Sequence, residues 1–338
     1  MSTAITTAQT HQELQSMQHD LATLTAEIQR VIVGQDKVIR SVVSCLLAGG
    51  HGLLEGVPGL GKTLLIRTLA RAVHLDFARI QFTPDLMPAD IVGTSMLLQT
   101  EGDAGGRPVL QYQPGPIFAN IVLADEINRA TPKTQSALLE AMAEGTVTAG
   151  GQTRKLPNPF LVLATQNPLE MEGTYPLPEA QLDRFLYKMH VEFPAEDELI
   201  SILNRTTGVD VADIKPVLDA ERVAEMRDLV RAIPVTDSIT RYVVQVLRAT
   251  HADDSRAPEM IKRYVRFGGS PRGAQAMLLG ARIRCILDGR MTPSIDDVRA
   301  VASEALRHRL ILNFEGEAEG ISIDACIAKV LTAVPADK

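Results

Sequence analysis

The chain has no tryptophan, and aromatic side chains make up 4% of its 338 residues. That leaves little from which to build the stacking platforms that hold single-stranded nucleic acids. Its three cysteines, Cys45, Cys285 and Cys326, are far apart and in no C-x-x-C pair. Neither a disulfide framework nor a thiolate metal cluster is expected. No apolar run approaches the roughly 18 residues of a membrane span, and the opening residues lack a basic stretch followed by an apolar one. The expectation is a cytoplasmic protein with no membrane span. Positive charge is not in surplus either: 34 Lys and Arg face 41 Asp and Glu, a net charge of −7. This argues against a nucleic-acid coat or a basic membrane-surface protein, though not against a local basic pore. Solenoid-length repeats and low-complexity tracts are missing.

What is present is an ordinary globular composition, 45% apolar and 22% charged, long enough for two domains with a core that needs no covalent staple. Residues 1–12 are small and polar and are expected to be disordered. Leu14, Met17, Leu21, Leu24 and Ile28 then recur at steps of three and four, the stripe of an amphipathic helix packed on its own domain. Up to Phe193, short apolar strands alternate with helices. The strands are expected at Gly52–Glu55, Phe77–Thr83, Asn120–Asp125, Phe160–Thr165 and Tyr187–Phe193. One helix opens at Lys62. Another spans Pro132–Glu144, with Thr131 as N-cap and Gly145 just past its end. Such alternation implies a mostly parallel sheet between helical layers, a three-layer αβα sandwich. After Pro194 the pattern turns helical: Glu196–Arg205, Ala220–Ala232, Asp237–Thr250, Pro271–Asp288 and Asp296–Leu306, with Ser294 and Asp297 marking a helix start. The reading is a nucleotide-binding core over 13–193 and a linker with an all-helical domain over 194–338.

The run Gly56-Val57-Pro58-Gly59-Leu60-Gly61-Lys62-Thr63 fits the phosphate-loop pattern G-x-x-x-x-G-K-[ST]. Its glycines let successive N–H groups turn inward around an anion at a helix N-terminus. Lys62 supplies a point charge to the β- and γ-phosphates, and the Thr63 hydroxyl a ligand for Mg²⁺. A strand precedes the loop, and an apolar helix beginning with Leu64 follows it. Ile121–Glu126 is an apolar strand ending in two carboxylates at a point that faces the ligand crevice of such a sheet. There Asp125 can hold Mg²⁺, and Glu126 can polarise the attacking water. Asn167 follows another buried strand and can both donate to and accept from a water or a γ-phosphate; an Asn-Pro turn is the plainer reading. Arg184, in Leu182-Asp183-Arg184-Phe185, reads as half of a surface pair. Arg272, in Ser270-Pro271-Arg272-Gly273, opens a helix from which it can reach back to the phosphates.

In this order the features resemble the AAA+ ATPases, and specifically their MoxR family. The resemblance rests on Val33-Gly34-Gln35, the phosphate loop, Asp125-Glu126-Ile127-Asn128-Arg129-Ala130, Ala164–Pro168, Leu182–Phe185, Ser270-Pro271-Arg272 and Arg307–Leu312. It implies an ATP- and Mg²⁺-binding hydrolase of P-loop NTPase fold with a helical lid. Ile32, Val33 and Gly34 would line the adenine, and residues from Gly56 to Leu64 the phosphates. Asp125 and Glu126 would be the Walker B pair, and Asn167 sensor 1. Arg184 would be an arginine finger acting on a neighbouring subunit, with Arg129 a second candidate for an inter-subunit contact, and Arg272 sensor 2. ATP would lie between sheet domain and lid. Two insertions typical of this branch are expected, Met96–Gln111, with Glu101–Gly106 as its turn, and the hairpin Thr146–Leu156. The resemblance further implies a homo-oligomeric, hexameric ring that acts as a chaperone on client protein complexes, with a von Willebrand factor A domain protein as partner. Against this stand a nucleic-acid motor, supported by Arg154 and Lys155 on the hairpin, a metal-chelatase motor subunit, and an ATP-retaining switch without turnover.

Overall fold

A computed structural model describes residues 7–98, 109–168, 173–207 and 213–336. Two helices, α1 (Thr7–Gln29) and α2 (Asp36–Ala48), precede strand β1 (Gly52–Glu55), helix α3 (Lys62–Ala72) and strand β2 (Phe77–Gln81). A short helix α4 (Pro88–Val92) leads into an antiparallel hairpin, β3 (Gly93–Leu98) and β4 (Val109–Pro114). Then come β5 (Ile121–Asp125), α5 (Pro132–Glu144), a second hairpin of β6 (Thr146–Ala149) and β7 (Gln152–Lys155), β8 (Leu161–Gln166), α6 (Glu179–Leu182) and β9 (Tyr187–His190). The remainder runs α7 (Glu196–Thr206), α8 (Ala220–Ala232), α9 (Asp237–Ala249), α10 (Glu259–Tyr264), β10 (Val265–Phe267), α11 (Pro271–Leu287), α12 (Ile295–Leu306), β11 (Ile311–Leu312), α13 (Phe314–Ala318) and α14 (Ile323–Ala333).

The central sheet is wholly parallel, in the order β2-β5-β8-β1-β9. Its inner strands read as unbroken apolar runs because both faces are covered: every residue of Ile121–Asp125 is buried. On one face, α1, α2, α3 and the lid helices share a single apolar core. On the other, α5 and the bases of the hairpins pack over Val122, Ala124 and Val162.

The N-terminal stripe packs as the spacing predicts, with Leu14, Met17, Leu21, Leu24 and Ile28 each at most 2% exposed, against α2, α3 and α11. The helix reaches back to Thr7, so residues 7–12, expected in the disordered start, are helical; residues 1–6 lie outside the described residues. Thr131 occupies the N-cap position of α5 in an extended conformation, but its side chain caps no backbone N–H. Ser294 and Asp297 do form a reciprocal capping box. The first insertion is a hairpin wider than its expected bounds, closed at its base by Gly93 and Gly115. A Cβ on Gly93 would lie 2.3 Å from the Gln113 carbonyl oxygen, and one on Gly115 2.2 Å from that of Ile91. Its expected turn, Glu101–Gly106, lies outside the described residues. The second insertion is a hairpin turning at Gly150-Gly151, both in the left-handed region. It leans on the first through Arg154, whose guanidinium stacks 3.8 Å from the Tyr112 ring centroid. The lid carries one addition to its helices, the two-stranded ribbon β10–β11.

A buried histidine gives the core a pH dependence. The imidazole of His51 accepts from the Val162 N–H at Nδ1 (3.0 Å) and donates from Nε2 to the Met142 carbonyl (3.1 Å), bridging β8 and α5. Burial lowers its pKa from 6.5 to about 4. The unfolded chain therefore binds the extra proton first as pH falls. Stability from this group is complete above pH 6.5 and is lost between there and pH 4, a total of about 3 kcal/mol. Burial shifts His308 in the same direction. Melting temperature is expected to fall steadily from pH 7 to pH 5, with a shallower slope in His51→Gln.

Candidate functional site

The phosphate loop leaves the C-terminal end of β1 and enters α3. Gly59 and Gly61 sit at φ +85° and +78°, a conformation that side-chain-bearing residues avoid. Gly56 is required for a different reason: a Cβ there would lie 2.8 Å from the Val191 carbonyl oxygen. The Lys62 ammonium folds back onto the loop, donating to the carbonyls of Gly56 (2.5 Å) and Val57 (2.9 Å). Partial burial lowers its pKa, opposed by the charges of Asp125 and Glu126. A cation held by carbonyl groups at the mouth of an N–H cradle is what an incoming polyphosphate displaces toward itself.

β5 delivers the two carboxylates opposite. Asp125 is 8% exposed; it accepts from the Thr165 hydroxyl at Oδ1 (2.6 Å) and from Arg79 at Oδ2 (2.7 and 3.0 Å). The chain then turns through Glu126 at φ +56°, a left-handed residue that is not glycine and stores about 1–3 kcal/mol of backbone strain. The Thr165 hydroxyl relieves part of that by accepting the Glu126 N–H (2.8 Å). Gln81 and Arg129 each donate to Glu126 Oε2 at 2.8 Å. Lys62, Thr63, Asp125, Glu126 and Asn167, the last 6% exposed, thus line one cleft of about 420 Å³. Its oxygen donors, the Thr63 hydroxyl and the Asp125 carboxylate, are hard ligands too few for a caged metal. No group of three acidic, His or Cys side chains that could hold a metal ion exists among the described residues. That donor set fits Mg²⁺ shared with phosphates and water.

Sequence reasoning missed Arg79, Gln81 and Thr165. Arg79 and Gln81 alternate on β2, which carries a legible polar face, but that β2 lies beside β5 is a topological fact. Thr165 sits in a quoted motif and is 1% exposed; its two bonds give it a positioning role toward both carboxylates. Thr165→Val, nearly isosteric, is expected to lower turnover about 10–100-fold. Nucleotide affinity should change little, and Thr165→Ser should restore most of the turnover.

An apolar cavity of about 270 Å³ adjoins the cleft, lined by Ile32, Val33, Leu60, Leu64, Phe193 and Ile202 among others. Its size and lining suit a purine ring. Gly34 does not line it. The glycine lies under the Glu198 carboxylate, where a Cβ would sit 2.1 Å from Oε1, so it shapes the wall from behind. Gln35, in the left-handed region, donates to the Leu60 carbonyl (2.9 Å) and fixes the phosphate loop to the cavity. Its Oε1 is buried without a partner. The cover comes from α7, the first helix beyond Pro194.

Of the 194–338 unit only α7 faces the sheet domain across this cavity; the other helices, and Arg272 with them, lie elsewhere. Helices α8, α11 and α12 pack on α2 and β9, and the lid grips the segment leading into β9. Arg309 is buried and donates to Asp183 Oδ1 (2.7 Å) and to the carbonyls of Phe185 (2.7 Å) and Leu186 (3.1 Å). Arg272 lies 3.8 Å from Asp183 Oδ2. Arg184, beside it, donates to the Leu139 carbonyl. Both line a second cleft floored by Gly49 and Gly50, before β1 begins. The phosphate loop lies beyond the other end of that four-residue strand, about 13 Å away along the sheet. Arg272 therefore does not reach back to its own phosphate loop. Arg184 and Arg272 share one face, and Arg129 stays beside Glu126.

Two family models match the chain. One is the ATPase family associated with various cellular activities (AAA), over residues 51–187; the other is the AAA lid domain, over residues 258–330. "Chaperone MoxR1" of Mycobacterium tuberculosis is 43% identical over 94% of this chain and 82% of its own length. "Uncharacterized protein YeaC" of Bacillus subtilis is 43% identical over 91% and 92%. A solved structure from Cytophaga hutchinsonii, named "putative ATPase", superposes with a TM-score of 0.90 at 39% identity, covering 97% of this chain and 98% of that one.

Proposed function

The chain belongs to the MoxR family of AAA+ ATPases, and on that premise we propose that it hydrolyses ATP to ADP and phosphate in a ring whose sites are completed by neighbouring copies. One observation carries the reading. Phosphate loop and carboxylates meet in one cleft, while Arg184 and Arg272 stand together at the opposite end of the sheet. Two cations so placed serve a site on another protomer.

In this account the loop N–H groups and Lys62 bind the β- and γ-phosphates, and Ile32, Val33 and Leu64 hold the adenine. Thr63 and Asp125 would hold Mg²⁺, and the chemistry it would supply is neutralisation of charge on the phosphate oxygens. Glu126 takes the proton of the attacking water, oriented by Asn167. Arg184 and Arg272 of the adjacent copy neutralise the equatorial oxygens as the bond to the leaving ADP breaks. Loss of the γ-phosphate removes what those two arginines hold, and the lid carrying Arg272 moves. The two hairpins, joined through Arg154 and Tyr112, are placed to pass the motion to a client protein complex. The nucleic-acid reading loses support here, because Arg154 is engaged on Tyr112. A chaperone role on client complexes, a hexameric ring and a von Willebrand factor A domain partner complete the proposal.

Purified chain with ATP and Mg²⁺ is expected to release phosphate, and EDTA to stop it. Glu126→Gln with ATP should capture a defined protein complex from its native extract. Equal capture by Lys62→Ala would count against an ATP-driven client role.

A further inference from the structure

The cleft that holds Arg184 and Arg272 contains more positive charge than those two residues explain. Its volume is about 460 Å³, and its walls carry five guanidinium groups, those of Arg184, Arg231, Arg272, Arg282 and Arg309, against one carboxylate, Asp183. That carboxylate is already taken: Arg309 and the Ser270 hydroxyl both donate to Oδ1, and Arg272 lies nearest Oδ2. Arg231, on the last turn of α8, and Arg282, midway along α11, have no ion pair among the described residues. One N–H of Arg231 reaches the Ala48 carbonyl at 3.4 Å, a weak bond at the negative end of α2. Arg282 lacks even that, and its Nε is buried with no hydrogen-bond partner. Directly under the floor lies Arg227, its Cζ 3.8 Å from where a Cβ on Gly49 would stand. Its Nη2 is a second buried donor without a partner. Burial and the charge of Arg231 lower the pKa of both Arg227 and Arg282.

The buried Arg282 Nε calls for an acceptor, and among clustered cations that line one cleft an anion is the acceptor that also answers their charge. The planar forks of guanidinium groups match tetrahedral oxyanions in particular. We infer that Arg231 and Arg282 form a subsite for a phosphate-class oxyanion, set behind the Arg184–Arg272 pair in the same cleft. The site stands on the charges of this cleft alone and does not require the ring. If the ring reading also holds, a second source becomes available, the phosphate released in the adjacent copy's site beside Arg184 and Arg272.

The test titrates inorganic phosphate into the full chain carrying Lys62→Ala, which removes the ammonium from the nucleotide cleft, at low ionic strength by calorimetry. Saturable uptake is expected, weakened at least 10-fold by Arg231→Gln and by Arg282→Gln, with Arg282→Lys between them and the parent. Arg231 is exposed, so its variant keeps the fold, which the melting temperature checks. No saturable uptake, or uptake indifferent to both substitutions, overturns the subsite. Product inhibition then separates the sources. An inhibition constant for phosphate raised by Arg231→Gln in the active enzyme marks capture from the adjacent site. An unchanged constant beside weakened calorimetric uptake assigns the subsite to phosphate from solution.

Discussion

Glu126→Gln is expected to bind ATP about as tightly as the unaltered chain while its turnover falls about 10²–10⁴-fold, the range spanned by loss of a general base. The glutamine keeps the shape of the side chain, and its amide oxygen can still accept from Gln81 and Arg129, which both donate to Oε2 in the structure. What it loses is the negative charge and the capacity to take a proton. Lys62→Ala separates the other half of the site. It removes the cation facing the phosphates and leaves the carboxylates in place, so binding itself should be lost. Isothermal titration with ATP and Mg²⁺, beside a phosphate-release assay, distinguishes the two. Turnover in Glu126→Gln equal to that of the parent would remove Glu126 from its role.

Arg184→Ala has an expected effect at least as large, about 10³–10⁵-fold in turnover, the magnitude found when an arginine is supplied in trans to a phosphoryl transfer. Arg272→Ala should act in the same direction, because both side chains line the same cleft. Neither substitution touches the protomer's own phosphate loop, so ATP affinity of the isolated chain should be nearly unchanged. The dependence on a neighbour has a second consequence. Turnover per protomer should rise with protein concentration until assembly is complete.

Much of this site was legible in the sequence because its chemistry is local. A phosphate loop is eight consecutive residues, and a strand tip with two carboxylates is six. The strands at Gly52–Glu55 and Ile121–Asp125 and the helices Pro132–Glu144 and Ala220–Ala232 were equally plain, each bounded by a turn residue or a cap and apolar at the right period. What the sequence hid is long-range. Thr165 matters because β8 lies beside β5, and Arg79 because β2 flanks it on the other side. That Arg184 and Arg272 line one cleft follows from the lid's hold on Asp183, which Arg272 approaches and Arg309 binds from 126 residues away. The place of Arg272 is hidden for the same reason: nothing within Ser270-Pro271-Arg272 says which end of the sheet that helix meets. The ribbon β10–β11 escaped because two or three residues carry no period. α14 does carry a signal in the sequence, Cys326, Ile327 and Val330 at helical spacing behind a Ser322 cap.

The most direct test of the shared site mixes two inactive proteins. Arg184→Ala keeps a complete cleft but offers its neighbour no arginine; Glu126→Gln offers the arginine but cannot use its own cleft. In mixed rings, each Arg184→Ala protomer that receives Arg184 from a Glu126→Gln neighbour regains an intact site. Phosphate release should therefore reappear on mixing and peak at intermediate ratios. Mixed assemblies, demonstrated by differential labelling, that stay as inactive as either parent would show that Arg184 is not lent across an interface.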